Sequence, residues 1–190
     1  MGLRHPGCPR LAVEPWQRAE VPGTVKATPI KRPEVVAALL KKAKRPIMII
    51  GHEAMEMEFG EGTTFLDLLV ELAKKAGLPV VATAHVGKTL MEKGLEPAAI
   101  MSALDIGQRL VDPSWEGLDS KGQYDLVLVA GLPYYMEWVL LASLKDFAPH
   151  LKVISLDPYY QPHATYSFPN TRPEEHMKNL KAVIASLGGR

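Results

Sequence analysis

Four short stretches of the chain place glycine, histidine, lysine or a carboxylate directly after an apolar run. They are Gly51-His52, Ala84-His85-Val86-Gly87-Lys88, Gly131-Leu132-Pro133 and Asp157-Pro158. In an open α/β sheet these are the positions where ligands bind, beyond the carboxyl ends of the strands. Glycine there lets a backbone approach a phosphate, and the N–H groups of a following helix offer an anion site. An acid after a late strand accepts hydrogen bonds from ribose hydroxyls. Gly51 and Gly131 read equally well as simple chain turns. The glycines after the first run (Gly51, Gly60, Gly62) do not fit G-x-G-x-x-G, and there is no P-loop.

Other chemistry is weaker. His52 with Glu53, Glu56, Glu58 and Glu61 suggests a cation site of imidazole and oxygen ligands. No second histidine follows at metalloprotease spacing, so a solvated acidic loop is the simpler reading. The six histidines, His5, His52, His85, His150, His163 and His176, show no metal-ligand spacing. His85 is best placed to polarise a ligand or take a proton. No G-x-S-x-G occurs, and the single cysteine, Cys8, excludes an internal disulfide and a cysteine-built metal centre within one chain. The pattern is that of a binding scaffold with no catalytic residues and no metal of its own. Aromatic residues cluster at Tyr134, Tyr135 and Trp138, with Met136 between them, and again at Tyr159, Tyr160 and Tyr166. Both groups follow strand ends and read either as interface anchors or as rings half-buried under loops.

The elements that must hold these residues alternate. Pro33 opens a helix with Val35, Val36, Leu39, Leu40 and Ala43 at helical spacing, and Lys41, Lys42, Lys44 and Arg45 crowd its last turn. Ile47–Gly51 is a continuous apolar run of the kind buried on both faces of a parallel sheet. A helix over Phe65–Ala73, ended by Gly77, precedes a strand at Leu78–Thr83. A loop at His85–Gly94, a helix from Pro97 to about Leu110 and a surface connection over Asp112–Gln123 come next. Tyr124–Gly131 is a strand, Tyr135–Phe147 a helix, Leu151–Asp157 a strand and Ala164–Phe168 a short strand. An amphipathic helix, Pro173–Leu187, closes the chain. Strands separated by helices mean βαβ units with right-handed crossovers and helices on both faces of a doubly wound parallel sheet.

The chain has 190 residues, 47% hydrophobic and 23% charged, which suits one globular domain able to bury its own core. Residues 1–30 carry Pro6, Pro9, Pro15, Pro22 and Pro29 without an apolar period, so they read as an extended basic arm with Trp16 as its anchor. The domain proper spans 31–190. The net charge of +1 conceals an asymmetry. Residues 1–45 hold ten Lys/Arg against three Asp/Glu, and the remainder twelve against eighteen. No overall nucleic-acid footprint results, and the basic segment is expected either to seek an acidic surface or to stand in solvent. No apolar run approaches the ~18 residues of a membrane helix, and the chain reads as cytoplasmic.

Four stretches carry a family resemblance. Ala43-Lys44-Arg45-Pro46-Ile47-Met48-Ile49-Ile50-Gly51 is similar to the opening of the central domain of thiamine-diphosphate enzymes. So is Leu72–Thr83 followed by Gly87-Lys88, and the Tyr124–Gly131 and Lys152–Pro158 stretches match in order and spacing. That domain implies a Rossmann-like, three-layer α/β/α sheet of the NAD/FAD-binding type. That match covers about residues 33–185, and the chain resembles more closely the epsilon-subunit family of archaeal carbon monoxide dehydrogenase/acetyl-CoA synthase complexes in its helix–Lys-Arg-Pro–strand opening, the Phe65–Thr83 unit and the Asp125–Gly131 and Leu151–Pro158 strands. The resemblance implies an accessory subunit in an α2ε2 assembly that either stabilises a catalytic alpha subunit or passes electrons from CO oxidation to FAD. Nickel–iron–sulfur and iron–sulfur clusters would then sit on the partner, and self-association stays open. By the same resemblance the flavin site comprises Gly51, His52, His85, Gly87, Lys88, Gly131, Leu132 and Asp157. Lys88 would neutralise phosphate and Asp157 would meet ribose. The chain departs from the pattern at His52 and Thr89, where glycines are frequent, and the His52 imidazole would obstruct a dinucleotide. A free-standing FAD- or NAD-binding enzyme and a structural subunit with an empty cleft are the alternatives.

Overall fold

Two runs set the architecture: Pro46–Ile50, and Leu126–Ala130, which is buried at every position. Such runs have no solvated face, so helices must cover both sides. In the computed structural model, which describes residues 25–59 and 62–188, they are the central strands of a seven-stranded parallel sheet. The strands are β1 Thr28–Pro29, β2 Pro46–Ile50, β3 Val80–Ala82, β4 Ala99–Ile100, β5 Leu126–Ala130, β6 Lys152–Ser155 and β7 Tyr166–Ser167. The helices are α1 Glu34–Lys42, α2 Phe65–Ala76, α3 Ala84–Glu92, α4 Ala103–Val111, α5 Tyr134–Phe147 and α6 Pro173–Leu187. A 3-10 turn occupies His52–Met55. The order β1-β7-β6-β5-β2-β3-β4 confirms the expected doubly wound, Rossmann-like sheet.

The pleat divides the core. Met48, Ile50, Leu126 and Leu128 face α1, α2 and α6, whereas Ile47, Ile49, Val127 and Val129 face α4 and α5. Helix α2 begins with a reciprocal cap: Asp67 N–H donates to Thr64 Oγ1 at 3.2 Å, and Thr64 N–H donates to Asp67 Oδ2 at 2.9 Å. Where α4 crosses α5, Gly107 leaves room for Leu140, whose Cδ1 lies 2.6 Å from the place a β-carbon would take. No helix of the described residues is long and apolar enough to cross a membrane.

Three expectations need correction. The segment His85–Gly94 is not a loop but mostly helix α3, because Val86 and Leu90 supply an inward face. The helix expected from Pro97 is divided: Ala99–Ile100 pairs with Val81–Ala82 as β4, and Ser102 then caps α4 by accepting from Asp105 N–H at 3.0 Å. The alanines at 98 and 99, good helix formers, hid a two-residue edge strand. The last residues assigned to the arm belong to the sheet. Thr28 N–H donates to the Thr165 carbonyl at 3.0 Å and Ile30 N–H to the Ser167 carbonyl at 2.8 Å, and Pro29, which has no N–H, sits on the edge where none is needed. His5, Cys8, Trp16 and Glu61 lie outside the described residues.

After β2 the chain winds outward through β3 and β4, then crosses back to β5 on the other side of β2. The strand order therefore reverses between β2 and β5, which is where an open α/β sheet has its crevice. Here the chain itself fills that crevice. Gly51 N–H donates to the Ala130 carbonyl at 2.8 Å, and Glu53 N–H donates to the Gly131 carbonyl at 2.9 Å. A β-carbon on Gly51 would stand 2.2 Å from the Gly131 oxygen, although its φ of −94° suits any residue. Gly131 has φ +69°, and a β-carbon there would meet the Ala54 β-carbon at 2.5 Å. Gly51→Ala and Gly131→Ala should each cost about 1–3 kcal/mol through overpacking. Urea denaturation checks this, and two near-neutral variants would mean that the contact yields.

Candidate functional site

Beyond the filled crevice, the strand ends hold a buried polar cluster. Asp157, two residues past β6, turns inward and accepts the Gly131 N–H at 2.7 Å through Oδ1. Beside it stands Glu137 from the first turn of α5, fully buried. Gln161 Nε2 donates to Glu137 Oε2 at 3.0 Å and to the Tyr134 carbonyl at 3.3 Å. The Gln161 N–H donates to Ser167 Oγ at 2.9 Å, which ties the cluster to β7. Ser155 contributes a buried hydroxyl next to Glu137.

Two carboxyls side by side in the interior cannot both ionise cheaply. Burial, and after it the negative charge of Asp157, push Glu137 well above the usual carboxylate range. Burial raises Asp157 as well, to about 6, against the hydrogen bonds from Glu137 and Gly131 that hold it down. Glu137 Oε1 has no hydrogen-bond partner, which favours the protonated acid there over the carboxylate. This cluster links the turn after β5, the start of α5 and the segment after β6. Its chemistry is that of a proton-holding internal brace.

The expected site residues divide into three groups. Gly51, Gly131, Leu132 and Asp157 come together, all buried, in the filled crevice and the cluster beneath it. His52 and His85 meet at its mouth, with ring centroids 6.0 Å apart. Gly87 and Lys88 lie apart on α3: Gly87 is packed under Ile100, and Lys88 projects into solvent, 3.7 Å from Glu92. Among the described residues no group of His, Cys, Asp and Glu is arranged to hold a metal ion.

The residues as arranged do not fit a dinucleotide. The space freed by the two glycines is taken by Ala54, Leu132 and the Gly131 carbonyl. Asp157 is buried and already engaged, so its carboxylate cannot reach a ribose. Lys88, expected to neutralise phosphate, is 85% exposed on α3 with Nζ 3.7 Å from Glu92.

Glu137 and Gln161 escaped the sequence reading. The signal was present: Glu137 precedes Leu140, Leu141 and Leu144 by three, four and seven residues, so it shares their inward face. Its pH signature follows from the raised pKa. Above about pH 7.5, His163 and His176, both lowered mainly by burial, are neutral in either state. In that window the folded chain keeps the Glu137 proton and the unfolded chain does not, so stability falls as pH rises. Raising the pH from about 7.5 to about 8.5 should destabilise the wild type more than Glu137→Gln in denaturation midpoints. Parallel slopes would contradict the proton held on Glu137.

Comparison with known proteins supplies the family. Residues 10–184 match the family model described as CO dehydrogenase beta subunit/acetyl-CoA synthase epsilon subunit. The chain is 38% identical over 173 residues to the acetyl-CoA decarbonylase/synthase complex subunit epsilon of Methanothermobacter thermautotrophicus, covering 90% of this chain and 94% of that one. It is 37% identical to subunit epsilon 1 of Archaeoglobus fulgidus, with 89% of both chains covered. The Methanothrix soehngenii epsilon subunit is 32% identical over 91% of this chain and 90% of its own. Among solved structures, a prephenate dehydrogenase from A. aeolicus aligns with a TM-score of 0.39 at 11% identity, over 77% of this chain and 58% of that one, too slight a likeness to bear on fold or function. Matched along nearly its whole length by relatives of one kind, the chain belongs to the CO dehydrogenase beta subunit/acetyl-CoA synthase epsilon subunit family.

Proposed function

We propose that the chain is a non-catalytic epsilon subunit of an acetyl-CoA decarbonylase/synthase complex, where it binds and stabilises the catalytic alpha subunit of the carbon monoxide dehydrogenase component. Its relatives are named as subunits of that complex, which supports the assignment. The observation that carries the scaffold role is the filled crevice. The position where a doubly wound sheet takes a ligand is used here as core, with Gly51, Gly131 and Ala54 in mutual contact. A subunit built this way contributes surface and rigidity. Redox chemistry of the complex is then borne by groups on its partners, and the flavin relay implied by the resemblance finds no cradle in the arrangement of these residues.

Stabilisation is a linkage effect: whatever binds the folded partner and not its unfolded chain raises the partner's apparent stability. Co-production of the alpha subunit with and without this chain, followed by thermal inactivation of CO oxidation, tests it. The half-life should lengthen several-fold with the chain present, and the purified pair should carry no flavin absorbance. Equal half-lives would remove the stabilising role. Stoichiometric flavin on this chain would replace it with the relay.

A further inference from the structure

The first turn of α5 has no side-chain cap, and its outer side is solvated, with Tyr134 and Tyr135 exposed by 44% and 70%. Its inner side is tied to the neighbouring segments through Gln161. The Gln161 Nε2 donates to the Tyr134 carbonyl and to Glu137 Oε2, and the Gln161 N–H donates to Ser167 Oγ on β7. One buried amide side chain thus holds the first and the fourth residue of the turn. From the same turn, Tyr134 Oη donates to the Tyr160 carbonyl at 3.2 Å. Tyr134, Tyr159, Tyr160 and Asn170 line a cleft of about 330 Å³, so the residue that opens the helix is also a wall of that cleft.

The buried side of the turn tolerates an acid and not its anion. Glu137 Oε1, Ser155 Oγ and Gln161 Oε1 are buried there without a hydrogen-bond partner. A protonated Glu137 brings an O–H to these oxygens, and the carboxylate brings none. No cation faces it. The groups that act on Glu137 and Asp157, besides each other, are Glu53 of the 3-10 turn, the Gly131 N–H, Ser155 and Gln161. Tyr134 of the same turn feels the Glu137 charge, whereas His163, against Trp138, is acted on by Lys145 and Asp146. An ionised Glu137 is therefore better placed in water than in this site, and outward movement of the turn takes it there.

We propose that the first turn of α5 is a proton-dependent latch on the tyrosine cleft, shut while Glu137 holds its proton and swinging out, ahead of global unfolding, when that proton leaves. Opening breaks both Gln161 bonds and the Tyr134–Tyr160 bond together, so the cleft loses a wall. The strand ends stay locked, because Gly131 and Asp157 bond to each other and not to the turn. The sign follows from the linkage. Burial holds the shut-state acid above the ordinary carboxylate range, so the shut turn keeps a proton that the open turn releases, and rising pH favours opening.

The test is amide exchange of the full-length chain between about pH 7.5 and about pH 8.5, corrected for the intrinsic rate. The reporters are Met136 and Glu137, whose N–H groups donate to the Pro133 carbonyl at 2.8 and 2.9 Å. One proton released per opening makes their protection fall about tenfold over that unit of pH. Low urea should leave these rates unchanged, since a local opening exposes little surface. In Glu137→Gln the same protection should not change with pH. Tyr134→Phe, which removes one bond of the shut state, should lower protection about fivefold and keep the wild-type slope. Equal slopes in wild type and Glu137→Gln overturn the latch, as does a flat wild type. First-turn amides that exchange only together with Ile49 and Val129 overturn it too, because the turn then opens only when the chain unfolds. Unchanged protection in Tyr134→Phe overturns the link to the cleft. Should Glu137→Gln fail to fold, the wild-type slope and its urea dependence decide alone.

Discussion

One hydrogen bond organises the strand ends. The Gly131 amide, placed by a left-handed φ that glycine alone adopts without strain, donates to the buried carboxylate of Asp157. Its carbonyl accepts the Glu53 N–H, and its missing side chain is replaced by Ala54. The turn after β5, the 3-10 turn after β2 and the segment after β6 are therefore locked together at the point where strand order reverses. A carboxylate in that place would be costly alone. Glu137, Gln161 and Ser155 surround it, and burial keeps Glu137 protonated, so no second charge is added.

That lock fills, with the chain's own turns, the position where a doubly wound sheet takes a ligand. In a nucleotide-binding sheet the glycines at the reversal point leave room for a phosphate; here the same glycines leave room for the neighbouring turn. Rigidity at the strand ends then fixes the first turn of α5, because Gln161 holds both Glu137 and the Tyr134 carbonyl. The aromatic cleft stands on this foundation. The interior chemistry and the cleft are thus parts of one device, with a buried proton holding the turn that shapes it.

The sheet was legible because strands buried on both faces leave uninterrupted apolar runs, as at Pro46–Ile50 and Leu126–Ala130. The short strands were not, since two residues such as Ala99–Ile100 or Thr28–Pro29 carry no period and are defined by their partners. The glycines at 51 and 131 were found by position, and Asp157 with them. Their use was hidden: whether a missing β-carbon admits a ligand or a neighbouring turn depends on the approach of Ala54, which no local pattern encodes. Lys88 reads from sequence as a loop residue after a strand, whereas α3 has already begun at Ala84. Glu137 was visible in principle as an acid on the leucine face of α5, obscured by the aromatic residues around it.

Amide hydrogen exchange tests most directly whether the crevice is core. The amides of Gly51, Glu53 and Gly131 should exchange only through global unfolding, with protection matching that of central-strand amides such as Ile49 and Val129. Exchange of those three through a low-energy local opening, while the central strands stay protected, would show a mobile cleft and contradict the account.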